Sequence, residues 1–233
     1  MRSLITLLLT LWLAPAWAQV PMTGAGKGTP GALPVWDGFT AGGNDACGFV
    51  TTCNITSVTV PAGFIIVAAR ITNDANLNAI SVCGTALTVQ HVAGPPTYDT
   101  AIGYGTTAGG TCTVGITGDA TSVQYAAFAL GRLSNLSSTT PGTICTGSYA
   151  GVNTGGTYPC TSGITVAADG FGVAAFGINQ KTTITSSNMT IGAQYNGSAA
   201  FQSVALAYAA TSNTPSFSNN NFAQASVIAA PWR

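Results

Sequence analysis

From Ile55 onward, short runs of β-branched, aromatic and small apolar residues alternate with clusters of Gly, Asn, Asp and Pro. Runs of that length between turn-forming residues predict strands, here over 55–60, 64–72, 79–83, 85–92, 98–104, 111–117 and 121–133. A second group follows at 163–167, 171–178, 183–194, 200–210 and 223–230. Pro61-Ala62-Gly63, Asp169-Gly170 and Asn196-Gly197 supply the turn chemistry between them. No segment sustains a 3.6-residue period with helix caps. The runs 64–69, 125–130, 171–176 and 204–210 are nearly continuous rather than alternating, and they carry many Ala and Gly. Continuous apolar strands are buried on both faces, which places these four in the middle of stacked sheets, where small residues let sheets approach closely. The fold class this predicts is all-β: an antiparallel β-sandwich.

Residues 1–54 read differently. Arg2, the apolar run Leu4–Leu13 and Ala16-Trp17-Ala18 have the order of a secretory signal, with Pro15 closing the run. The run is too short to span a bilayer, which takes about 18 or more apolar residues. Residues 1–18 are therefore expected to be a signal peptide. Residues 19–54, rich in Gly, Pro and Thr, are expected to form an extended leader along the domain, with Trp36 and Phe39 as its anchors, and 55–233 to form the sandwich.

The chain also echoes itself. Val58-Thr59-Val60-Pro61-Ala62-Gly63-Phe64 matches Ile164-Thr165-Val166-Ala167-Ala168-Asp169-Gly170-Phe171, with one residue inserted in the second turn. Ser122-Val123-Gln124-Tyr125-Ala126 has a weaker counterpart at Ser226-Val227-Ile228-Ala229-Ala230. Two similar halves from a duplication explain this, and so does the generic likeness of sandwich strands.

Charge narrows the function. The 233 residues carry 6 Lys+Arg, 6 Asp+Glu and one His, only 5% charged against 46% hydrophobic. All six acids are Asp, and His91 is the single histidine. Nucleic-acid binding needs a basic stripe that this chain lacks, and a site built on several His ligands is excluded. With so little like-charge repulsion between copies, self-association is expected to be tolerated. Cys47, Cys53, Cys83, Cys112, Cys145 and Cys160 form an even set, as in a disulfide framework of an oxidising compartment. Neighbour pairing, Cys47–Cys53, Cys83–Cys112 and Cys145–Cys160, is the expected connectivity. No C-x-x-C is present to support zinc.

Six short motifs, in this order, carry a resemblance: Thr59–Gly63, Val82–Gly84, Ala101–Tyr104, Thr113–Ile116, Ala126–Gly131 and Thr165–Gly170. The layout is similar to secreted and phage-associated jelly-roll-like sandwiches, most of them uncharacterised, and covers about residues 55–230. It implies a jelly-roll-like fold and a surface or particle context, and it carries no catalytic residues.

Candidate chemistry is sparse. Tyr98, Asp99 and Tyr104 on one predicted strand are the candidate sugar-binding patch. Asn73, Asp74 and Asn76 in an Asx-rich loop are the candidate calcium ligands, since a hard cation takes clustered oxygens, although such loops also satisfy their own backbone. A glycosidase needs two carboxylates, and here Asp45, Asp74, Asp119 and Asp169 sit in turns. A Ser-His-Asp hydrolase would have to use His91, without a G-x-S-x-G elbow. Sequons at Asn54, Asn135, Asn188 and Asn196 matter only in a eukaryotic pathway. The leading expectation is a non-catalytic exported protein, cofactor-free unless calcium binds, with a structural or binding role at a cell surface, in the medium or in the periplasm. A carbohydrate-binding module and a jelly-roll polysaccharide-active enzyme are the alternatives, and an outer-membrane barrel ranks last because no lipid-facing alternation is sustained.

Overall fold

The computed structural model describes residues 34–44, 46–72, 76–93, 98–119, 123–152, 156–197, 203–218 and 223–233. These belong to one compact unit, Gly31–Arg233. Among them there are only strands and irregular segments, and no helix is long and apolar enough to cross a membrane. The predicted signal peptide, residues 1–18, lies outside the described residues.

The first half contains β1 (Val35–Asn44), β2 (Thr52–Val60), β3 (Gly63–Thr72), β4 (Leu77–Val82), β5 (Thr85–Ala86), β6 (Thr88–Ala93), β7 (Tyr98–Thr107), β8 (Gly110–Gly118) and β9 (Tyr125–Ser134). The second half contains β10 (Cys145–Val152), β11 (Thr157–Pro159), β12 (Phe171–Ile178), β13 (Thr190–Asn196), β14 (Ser203–Ala209), β15 (Ser216–Ser218) and β16 (Ala223–Trp232). In the first half an inner sheet β1-β9-β3-β7-β6 faces an outer sheet β2-β8-β4-β5. The chain crosses repeatedly between these sheets and its last strand returns beside its first, which is the jelly-roll path. The second half repeats it: the inner order β10-β16-β12-β14-β13 matches the first half strand for strand, and the outer pair β11-β15 matches β2-β8. The counterpart of β4 has shrunk to a single bridge, Thr185 to Ser218.

The two inner sheets lie face to face, with β1 over β13, β6 over β10, and β3 and β12 in the middle. Exchanging the halves preserves these neighbours, so an approximate two-fold axis relates them. Ile71 pairs with Asp99 and Ala126, while Ile178 pairs with Ser203 and Ala225. Setting Phe64 against Phe171, as the first sequence echo does, then makes Arg70 equivalent to Gly177, and Arg132, which pairs with Ile65, equivalent to Pro231, which pairs with Gly172. The second echo joins the right strands but slips by five residues, because Ala126 matches Ala225 and not Ala230.

Three apolar layers result. Ile65, Val67, Ala69, Val114, Ile116, Phe128 and Leu130 fill the first sandwich, and Phe176, Phe217, Tyr158 and Val227 the second. Between the inner sheets lie Ile66, Ala68, Ile102, Ala129, Val173, Ala175, Leu206 and Ile228. The residues of β3 thus point alternately into two different cores, and from Ile65 onward every one is buried. Burying an Ile, Leu or Phe side chain contributes about 1.5–3 kcal/mol, so these central strands dominate the packing. Ala at the interface keeps the sheets close.

The expected boundaries need correction at several points. The sandwich begins before residue 55: β1 pairs with β9 along its length, with a bulge between Asp37 and Thr40. Trp36 and Phe39 do anchor this stretch, each with its ring 5.8 Å from that of Tyr208. The predicted strand 163–167 keeps one bridge, Ile164 to Asn213. The predicted strand 183–194 begins only at Thr190. The eight-residue strand β10 and the three-residue strands β11 and β15 were not foreseen, because they are edge or outer strands with Gly, Ser and Thr in place of an apolar run. The three disulfides pair as neighbours, Cys47–Cys53, Cys83–Cys112 and Cys145–Cys160. No cysteine is free. Such a framework suits an oxidising compartment.

Candidate functional site

Antiparallel registry brings seven connections to one end of the unit: β1–β2, β3–β4, β6–β7, β8–β9, β10–β11, β13–β14 and β15–β16. In the first half Asn44 pairs with Ala126, Thr72 with Tyr125 and Tyr98, and Leu77 with Gly118. In the second half Val152 pairs with Ala223, Thr157 with Ser218, and Asn196 with Ser203. The two ends coincide because Arg70, near the exit of β3, reaches Ser226 near the start of β16.

At this end the Cys47–Cys53 disulfide closes a six-residue step that carries Phe49, 55% exposed and at φ 58°. A bulky residue in the left-handed region is uncommon and costs backbone energy. Here it holds an aromatic ring in solvent, anchored by hydrogen bonds of Cys47 N–H to Gln124 O and Val50 N–H to Val123 O.

Beneath the same end, Arg70 is fully buried between the inner sheets. Its Nη1 donates to Thr100 Oγ1 at 2.9 Å and to Ser226 Oγ at 3.2 Å, and these hydroxyls bond one another at 2.5 Å. Its guanidinium carbon lies 5.2 Å from the Tyr98 ring centre, a cation–π geometry. Nε and Nη2 have no hydrogen-bond partner among the described residues. Burial lowers the pKa of this group to about 9, opposed by Tyr98 and Asp99. The guanidinium fits because its two-fold counterpart is Gly177, where an added Cβ would lie 2.6 Å from Nη1 and closer still to Thr100 Oγ1.

The predicted trio on β7 is not brought together. Tyr98 packs on Arg70. Asp99 points the other way, is 2% exposed, and accepts the Leu77 N–H at 2.6 Å and His91 Nδ1 at 3.1 Å through Oδ2. Burial pushes the Asp99 carboxyl above its ordinary range, and the bonds from Leu77 and His91 pull against that. Tyr104 is half-buried, 5.7 Å from the Trp232 ring and 6.4 Å from that of Phe64. These tyrosines therefore cover interior surface and do not make a flat platform for a sugar. His91 lies on the edge strand β6 with its side chain 45% exposed, so the His–Asp pair is held at one side and open at the other.

Of the calcium candidates, Asn73 and Asp74 lie outside the described residues. Asn76 is engaged by Asp119, whose carboxylate accepts its backbone N–H at 3.0 Å and its side-chain N–H at 2.6 Å. Those bonds hold the Asp119 carboxyl below its usual range. Among the described residues no group of three or more His, Cys, Asp or Glu stands ready for a metal. Sequence reasoning passed over Arg70 and Phe49. The only signals were a lone Arg in an apolar run and an aromatic between two near cysteines. Compared with known proteins, the chain matches no family model, no curated protein and no solved structure.

Proposed function

We propose that this is an exported, non-catalytic structural or binding protein of a cell surface or particle, acting through the end at which Phe49 stands. The observation that supports it most is that an aromatic ring is held in solvent there, above inner sheets that are buried on both faces. Phe49, exposed on a disulfide-closed step, is the natural contact residue. The scarcity of charge and the three disulfides fit the same setting, and the jelly-roll path fits the resemblance to secreted and phage-associated sandwiches.

The test is adhesion of protein-coated beads to glycan arrays and to intact cells, with and without calcium. Phe49→Ser is compared with Val35→Ser, which removes an exposed apolar side chain at the opposite end. Loss of adhesion in the first variant alone supports the reading, and equal loss in both overturns it. The exposed His91 held by Asp99 favours a polysaccharide-active enzyme as the second reading. Release of reducing sugar that disappears in His91→Asn would select that one.

A further inference from the structure

The two-fold relation between the halves exposes a difference at the other end. In the first half, Asp37 on β1 takes Arg132 on β9 in a two-pronged ion pair, with Nε–Oδ1 and Nη2–Oδ2 both 2.6 Å. That pair closes the edge of the sandwich over Ala62, whose carbonyl also accepts from Arg132. In the second half the equivalent of Arg132 is Pro231. The equivalent of Asp37 is Gly142, because Thr40 and Cys145 hold matching ladder positions and the Gly142 N–H bonds to Pro231 O at 2.8 Å. The backbone arrangement has been kept, and both charged side chains are gone.

What remains is a cleft of about 430 Å³ lined by Thr140, Gly142, Thr165, Pro231, Trp232 and Arg233, among others. Its size is that of a small-ligand site. No acidic residue is among the described residues that line it, while Arg233 brings a guanidinium. Trp232, 2% exposed, borders the cleft while its ring packs between the inner sheets, 5.7 Å from that of Tyr104. Ser138 Oγ accepts the Thr140 N–H at 3.2 Å and so braces the loop that forms one wall. A guanidinium, two threonines and apolar proline surface together suit one kind of guest. It carries a carboxylate for the guanidinium, hydroxyls for the threonines and an apolar face.

The geometry points to a binding site for a small hydroxylated carboxylate, of the size and chemistry of a uronic acid, standing where the first half places its own Asp37. This site is independent of the connection-bearing end. Calorimetric titration of the purified protein with sodium glucuronate tests it, with glucose and acetate as controls. The expected result is a Kd of about 1 mM or tighter for glucuronate, with glucose and acetate each weaker by about tenfold or more. Arg233→Gln and Thr165→Phe alter exposed positions and leave the cores intact. The first should weaken glucuronate about tenfold, and the second should block the cleft and abolish the signal. Glucose or acetate binding as tightly as glucuronate overturns the proposal. So does no heat up to about 10 mM, or an Arg233→Gln variant within about twofold of the parent. Far-ultraviolet circular dichroism on both variants shows that a lost signal is not a lost fold.

Discussion

Arg70 is the residue whose chemistry is least like its surroundings. It brings a charge into the contact between two sheets, with two hydroxyls and a tyrosine ring as partners and two nitrogens without any among the described residues. Desolvating a cation with neutral partners gains little, and apolar replacements of buried charges are often neutral or stabilising. Arg70→Met is therefore expected to unfold in denaturant at a free energy within about 1 kcal/mol of the parent, or above it. A loss of several kcal/mol would mean that the guanidinium is held by more than Thr100 and Ser226. Gly177→Ala acts on the same spot from the other half. Its methyl group would overlap Thr100 Oγ1 and Arg70, and overpacking of this kind costs about 1–3 kcal/mol. The Asp37–Arg132 pair carries the clearest pH signature. The bond from Arg132 lowers the Asp37 pKa from 3.8. Its contribution is thus present above the ordinary carboxylate range and fades as pH falls through the lowered value. Both partners are about two-fifths exposed, so Asp37→Asn should cost at most about 1 kcal/mol at pH 7. The two proteins should converge in urea titrations once the pH has fallen through the lowered Asp37 value.

At the level of elements, the interior strands were legible because period and burial agree. Runs such as 64–69 and 171–176 have no polar face, and only a strand covered on both sides can use them, which is how β3 and β12 sit. The strands that escaped notice obey other rules. β10 reads Cys-Thr-Gly-Ser-Tyr-Ala-Gly-Val, lies at a sheet edge and pairs only with β16. β1 contains three glycines, and its pairing partner β9 lies far along the chain. Neither carries a local pattern that separates strand from loop. Two of the disulfides tie edge and outer elements to one another. Cys83–Cys112 joins β4–β5 to β8 across 29 residues, whereas Cys145–Cys160 closes 15. Loop-closure entropy grows slowly with length, so each contributes about 3 kcal/mol with the longer slightly ahead. Replacing either pair by serine should lower the melting temperature measured by calorimetry, with the loss of Cys83–Cys112 at least as large.

For the molecule as a whole, the repeated strand order of the two halves has consequences for cooperativity. Each half is a jelly roll whose inner sheet is apolar on both faces, and one of those faces is covered only by the other half. Thermal unfolding should accordingly be a single transition with equal calorimetric and van't Hoff enthalpies. Residues 34–134 expressed alone should expose Ile66, Ala68, Ile102 and Ala129, bind a hydrophobic dye and aggregate. Two separated transitions, or a monomeric first half, would show that the halves stand as independent domains.

The order of residues along the chain determined the β class, the doubly buried strands and the Phe64–Phe171 echo, because each rests on local pattern; it left fifteen disulfide connectivities open, and the structure selected the neighbouring one. Only the tertiary structure decided which surfaces meet and which side chains share a site. Asp99 faces away from Tyr98 and Tyr104 because alternate residues of a strand point to opposite sides, and in a doubly covered sheet both sides are interior. Arg70 and Gly177 became partners through a two-fold axis that places positions 107 residues apart in contact. The open cleft beside Pro231 exists for the same reason: its meaning lies in comparison with Asp37 and Arg132, and that comparison requires the strand register of both halves.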